Sequence, residues 1–306
     1  MRNFLQKIFF LLFIFFLFLV LFFLTIEKKL SSEPYYYRFT TPKQSSLILG
    51  SSRSAQGLNP EIINKQIGSN LYNYSFTINN SPYGPYYFNS IKKKLSKKNN
   101  DGIFILTVDP WSISTKKIHF DNTELFDEKN MFIGKLNIVN MNPNIYYLFN
   151  HYKTKNFKDL FFLDTNNQEF FLHKKTGWLE VNVLMDSSSL SKRFQRKNDI
   201  YKNHMNKYEF SENRYKFLKK TINYLSDYGK IYLVRLPIHN SMMEIENNYM
   251  PDFNLKIKKL SSDFNINYFD MTPLNDSFEY TDGNHLFKRS SNIVSTILGS
   301  WLEKNH

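Results

Sequence analysis

From residue 8 to residue 26 the chain holds nineteen consecutive residues of which only Thr25 is polar. Such a stretch offers no polar face, so it cannot form the amphipathic surface helix of a globular domain. As a helix it would span about 28 Å, close to the roughly 30 Å of a bilayer hydrocarbon core. A cleaved secretory signal has a shorter apolar region and a small-residue cleavage site. Here the run is long and bulky, and no Ala-x-Ala-like site follows. The reading is an uncleaved single-span anchor within residues 1–30. The chain has no cysteine, which removes a lipoprotein-type anchor and disulfides. Arg2 and Lys7 precede the span, while Lys28, Lys29, Arg38 and Lys43 follow it, so flanking charge does not set the orientation.

About 270 residues remain, enough for one large domain or one domain with a sizeable insertion. Beyond residue 30 the net charge is +10, from 36 Lys and Arg against 26 Asp and Glu. Nucleic acid is not the expected partner. The lysines are dispersed apart from short runs such as Lys92-Lys93-Lys94, and Ala55 is the only alanine among many Asn, Lys, Ile, Phe and Tyr, a composition bias across the whole chain. A solvated basic face, or one turned to anionic lipid or an acidic glycan, fits better.

Residues 31–44 contain Pro34 and Pro42 around Tyr35-Tyr36-Tyr37 and read as a linker leaving the membrane. From residue 45 strands and helices alternate. Residues 46–49, 70–75, 103–108, 230–236 and 267–270 read as strands. Residues 60–66, 86–97, 211–225, 242–248, 253–264 and 288–302 read as helices. Asn59 and Pro60 open the first of these, and the basic end of the second suits the helix dipole. Residues 112–205 break the alternation and read as an insertion, with some helix near 143–152 and otherwise loops. Alternation of this kind implies a mainly parallel sheet covered by helices on both faces, with the functional site at the C-terminal strand ends. No glycine pattern for nucleotide binding is present.

Two short stretches carry the chemistry. Leu49-Gly50-Ser51-Ser52-Arg53-Ser54 follows the first strand, and Asp282-Gly283-Asn284-His285 precedes the last helix, more than 230 residues later. They supply a serine at a strand-to-loop junction and an Asp/His pair at i, i+3, the chemical types needed for acyl transfer through a serine. At the start of a helix, Asp282 and His285 would share one face. Ser51 and Ser54 are rival nucleophiles. A polar turn after a strand and a capping aspartate with an incidental histidine are the plain structural readings of the same residues. His239 reads as a loop histidine or a second base. Trp111 reads as a packing residue or a platform for a sugar ring. No His, Asp or Glu spacing suggests a metal.

The order Ser…Asp…His, the Gly50-Ser51-Ser52 block and the closing Tyr268-Phe269-Asp270…Asp282-Gly283-Asn284-His285-Leu286 stretch resemble the SGNH (GDSL-type) hydrolase superfamily over roughly residues 45–110 and 208–304. The resemblance implies a flavodoxin-like three-layer sandwich with catalytic Ser52, Asp282 and His285. It departs at three points. Ser51 replaces the family's aspartate. The second block, residues 75–81, lacks the glycine whose N–H serves the oxyanion, leaving the backbone of Asn79 or Asn80. The third block has Asp109 in place of an asparagine, and an anion there would repel an oxyanion. Arg53 would pair with Asp109 or bind a substrate anion. The implied activity is ester hydrolysis or O-acyl transfer on an envelope or exported polysaccharide, with the domain outside the cytoplasm. The alternative is a non-catalytic glycan-binding or assembly factor. The implied partners are membrane lipid through the N-terminal helix, a glycan or acyl-ester substrate and a membrane-embedded acyl-donor protein, without cofactor, metal or nucleic acid.

Overall fold

A computed structural model of the chain describes residues 2–29, 35–96, 100–152 and 169–305. Helix α1 (Arg2–Lys29) contains the apolar run. Its Asn3–Phe22 segment has a mean hydropathy of 2.7 and none of it is buried, so it is long and apolar enough to cross a membrane and is not a core helix. Phe22 packs against the main hydrophobic core of the domain. Helix α2 (Tyr36–Thr40) is buried throughout. Arg38 on it donates to the carbonyls of Asn73 and Gly177, and Tyr36 and Phe39 fill the core beside it. The second half of the expected linker is therefore part of the domain, while residues 30–34 lie outside the described residues.

The sheet begins with β1 (Ser46–Leu49), then α3 (Ser52–Gly57), α4 (Pro60–Ile67), β2 (Leu71–Asn73), α5 (Pro85–Lys94) and β3 (Gly102–Thr107). Asn59 caps α4 by accepting from the Glu61 N–H, and Pro60 stands at its first turn, where no amide donor is needed. An excursion follows: β4 (Ser114–Lys116), α6 (Phe132–Lys135), α7 (Ile145–Tyr152), the antiparallel hairpin β5 (Phe170–Leu172) and β6 (Leu179–Val181), α8 (Ser187–Lys207) and β7 (Tyr208–Phe210). β4 pairs antiparallel with β7, with Ser114 opposite Phe210, which clips the two ends of the excursion together. The chain then returns through α9 (Glu212–Ser226), β8 (Gly229–Arg235), α10 (Asn240–Tyr249), α11 (Phe253–Phe264), β9 (Asn267–Asp270) and α12 (Lys288–Asn305).

The five main strands form one parallel sheet in the order β2-β1-β3-β8-β9. Side chains alternate across it with period two. Leu47, Leu49, Phe104, Leu106 and Leu233 join one core with residues of α5, α9 and α11, while Ile48, Ile103, Ile105 and Val234 join the other with residues of α4 and α12. Both faces are covered, which is why these strands read as continuous apolar runs. Each such fully buried side chain contributes about 1.5–3 kcal/mol. From β1 the chain first winds outward to β2, then crosses back to place β3 on the other side of β1. The strand order reverses between β1 and β3, and their C-terminal ends open the crevice in which sites form in such sheets.

The main elements lie within a few residues of the sequence reading. The differences include α2, α3, the β4–β7 pair, α6, the β5–β6 hairpin and above all α8, a 21-residue helix in a segment expected to be loop. Asp186 caps it by accepting from the Ser189 N–H, but Tyr201 is its only fully buried side chain. A helix that covers a cavity instead of a core shows little apolar periodicity. Residues 153–168, within the expected insertion, lie outside the described residues.

Candidate active site

Ser52 is the first residue of α3, three positions beyond the end of β1. The turn requires Gly50, whose φ of +150° disfavours an L side chain and whose added Cβ would overlap Thr107 Oγ1 on β3. Ser51 caps α3 by accepting from the Arg53 N–H. Of the three serines in this turn, Ser51 donates to Asp109 Oδ2 (3.2 Å) and Ser54 donates to the Ser51 carbonyl (2.9 Å). Ser52 alone meets the histidine: its Oγ lies 2.8 Å from His285 Nε2.

Asp282, Gly283, Asn284 and His285 form a loop before α12 and are not its first turn, so helical spacing is not what joins the pair. The loop is an Asx-type turn. Asp282 Oδ1 accepts from the backbone N–H of Asn284 and of His285, each at 3.0 Å, and Gly283 takes the positive φ of 80° between them. The same carboxylate lies 2.9 Å from His285 Nδ1. With Nδ1–H donating to Asp282, Nε2 carries the lone pair that accepts the Ser52 hydroxyl proton. Burial alone would raise the Asp282 pKa. The electrostatic pull and hydrogen bond of the adjacent His285 ring, then Lys197 at 3.1 Å, outweigh it and hold the carboxyl well below the usual range.

The other expected residues sit elsewhere. Asp109 caps the turn Pro110–Ile113, its Oδ1 accepting from the Ser112 N–H at 2.8 Å and its Oδ2 from Ser51. Burial pushes its carboxyl up against the pull of Arg53. Arg53 is buried in an ion pair with Glu246 (2.6 Å), not with Asp109, and donates to Asn284 Oδ1 at 2.9 and 2.6 Å. Glu246 also pairs with Arg235 at 2.9 Å and accepts from Trp111 Nε1 at 2.9 Å. The Trp111 ring stacks on Tyr249, so it is a packing residue. Asn80 spends its backbone and side-chain donors on Thr77, and Asn79 faces a separate small crevice beside Pro82 and His119. His239 caps α10 through Ser241. Among the described residues, Arg53, Asn79, Asn80, Asp109 and His239 do not line the cavity at Ser52.

That cavity has a volume of about 480 Å³. Ser52, Asp282 and His285 lie on its wall, together with Phe76, Thr77 and Ile78 from the stretch after β2. Much of the rest comes from the excursion. On α8, Arg193, Lys197, Ile200, Tyr201 and His204 line it at i, i+4, i+7, i+8 and i+11, which is one helical face. Lys197, Glu246 and the pairing of Asn284 with Arg53 were not anticipated. The α8 spacing was present in the sequence, but its mixture of charged, aliphatic and aromatic residues does not read as an apolar stripe. Comparison of the chain with models of protein families and with curated proteins gives no match in either case.

Proposed function

We propose that the chain is a membrane-anchored acyl-transfer enzyme of SGNH type, with a flavodoxin-like three-layer fold and Ser52 as nucleophile. The observation that carries this reading is the continuous hydrogen-bonded relay Asp282–His285–Ser52 on the wall of a cavity. The strand order agrees with the doubly wound flavodoxin-like arrangement, in which ligands bind at the switch point. His285 Nε2 takes the Ser52 proton as Oγ attacks the ester carbonyl, and Asp282 holds the ring and stabilises the imidazolium. His285 returns the proton to the leaving alcohol. Water or a sugar hydroxyl then resolves the acyl-enzyme. Main-chain N–H groups of Ser52 and of Thr77 or Ile78 are the oxyanion donors in this scheme, because Asp109 carries no donor when ionised and its oxygens are already engaged. Helix α1 anchors the domain in lipid on the extracytoplasmic side. The acyl esters belong to an envelope or exported polysaccharide, with a membrane-embedded protein as acyl donor where the reaction is a transfer.

Ser52→Ala and His285→Ala are each expected to abolish hydrolysis of a small aryl ester and labelling by a fluorophosphonate. The double variant is expected to be hardly worse than either, because the relay acts as a unit. A non-catalytic glycan-binding or assembly role is the second reading, favoured by the absence of the family's side-chain donor at Asp109. Wild-type protein that binds polysaccharide but shows neither turnover nor labelling would establish it.

A further inference from the structure

The walls of the cavity at Ser52 restrict what the proposed reaction can carry. Along β6 and beyond, Leu179, Val181 and Val183 all face the cavity, alternate residues on one face of an extended segment. Glu180 between them turns the other way, to His173 and Lys288. The hairpin is fixed to the nucleophile's own helix, since Trp178 Nε1 donates to the Gln56 carbonyl at 2.8 Å. Phe76 and Ile78 add apolar wall. Phe170 and Ile200 line the cavity while remaining 40% and 37% exposed, so its mouth is apolar too. Apart from the exposed Glu169, the charged residues in the lining are engaged by the protein. Arg193 donates to the Thr281 carbonyl, Lys197 pairs with Asp282, and Arg38 donates to two carbonyls. A sugar ring needs a dense set of directed donors and acceptors. A hydrocarbon chain needs branched aliphatic and aromatic walls and enough room, and about 480 Å³ lies within the range of drug-sized ligand pockets.

We propose that this cavity is an acyl-chain site, and that the group carried on Ser52 is a medium-length unbranched acyl chain, not acetyl. The proposal rests on the serine-nucleophile reading above. In the step itself Ser52 Oγ forms a bond to the acyl carbon and the ester C–O bond to the alcohol breaks. The Ser52 proton passes through His285 Nε2 to the departing alkoxide, and the chain lies along the Leu179–Val183 wall. An acetyl methyl would leave most of the apolar surface uncovered.

The test uses the full-length protein in lipid nanodiscs, free of detergent, with p-nitrophenyl acetate, butyrate, hexanoate and octanoate. Burial of each methylene is expected to raise kcat/KM by three- to fourfold, and octanoate over acetate by at least about a hundredfold. Val181→Trp, which fills the wall, is expected to lower the octanoate-to-acetate ratio at least tenfold, and because it is a ratio it is independent of how much protein is folded. Labelling rates with short- and long-chain alkyl fluorophosphonates should follow the same order without requiring water as acceptor. A flat series, or acetate as the best ester, overturns the acyl-chain site and leaves the serine reading standing. No turnover and no labelling with any chain length overturns both. A rising series that Val181→Trp leaves unchanged overturns the assignment to this wall.

Discussion

Glu246 is fully buried between the guanidinium groups of Arg53 and Arg235, both also buried. The Arg charges hold its carboxyl below the usual range although burial opposes them. Glu246→Ala would leave two cations in the interior without their shared anion. Breaking a buried pair in this way costs about 3–5 kcal/mol. Asp109 contributes to the field at Arg53 and Asn284 keeps its hydrogen bonds to it, which argues for the lower half of that range. For a domain of this size each kcal/mol moves the melting temperature by about 2–4 °C, so the expected fall is about 6–16 °C. Circular dichroism melts of the full-length protein read it directly. Glu244→Ala, an exposed residue of the same helix, is the control and should stay within about 2 °C. Replacing Arg53, Glu246 and Arg235 together by apolar residues of similar volume should recover most of the loss, because the desolvation cost leaves with the charges. A Glu246→Ala protein melting within 2 °C of wild type would refute the claim that this triad is a buried, mutually compensated unit.

Lys94 is buried with its Nζ against Thr41 O (2.6 Å), Thr41 Oγ1 (2.9 Å) and Val139 O (3.0 Å), and burial pushes its pKa down to about 7. Between that value and the unfolded value of about 10.4 the unfolded chain binds a proton the folded chain lacks, so stability should rise with pH and be lost again as pH falls through 7. The melting temperature is expected to be higher at pH 9 than at pH 7, and Lys94→Met should flatten that slope; equal slopes in both proteins would rule out Lys94 as its source. Gly50→Ala should cost at least about 2 kcal/mol from backbone strain and the clash with Thr107, and should slow fluorophosphonate labelling of Ser52 by moving α3. Thermal melts and labelling rates matching wild type would show that the turn tolerates a side chain.

The sheet was legible because both of its faces are buried, so each strand announces itself as an apolar run bounded by turn residues such as Gly50 or Pro237. The pairing of Asp282 with His285 was legible in the sequence, but not its conformation. Its i, i+3 spacing suggested a helix face, whereas an Asx turn with Gly283 at positive φ folds the Asp282 carboxylate back onto His285. The family resemblance placed the backbone of Asn79 or Asn80 at the oxyanion, and Asp109 there as an anion that would repel it. Local hydrogen bonds to Thr77, Ser51 and Ser112 direct Asn80 and Asp109 elsewhere, and Asn79 turns to a neighbouring crevice. Such short-range competition for polar groups leaves no mark on hydrophobic periodicity.

The sheet and the excursion divide the work of the site. Parallel winding brings the ends of β1 and the loop before α12 together, so the 233-residue separation between Ser52 and His285 costs the geometry nothing. Those elements belong to the packed core, and Arg53, one residue beyond Ser52, locks onto Asn284, one residue before His285, with Glu246 behind it. The relay is therefore held by buried contacts on both of its segments. Much of the cavity wall comes instead from β5–β6 and α8, and α8 rests on the domain through a single buried side chain, Tyr201. Substitutions in these walls can change the shape of the cavity without disturbing the relay, whereas substitutions behind the relay threaten the fold itself. Lys197 is the point where the two meet, since it stands on α8 yet pairs with Asp282. Any movement of α8 that repositions the wall also changes the charge facing the Asp282 carboxylate, which ties cavity shape to the electrostatics of the relay.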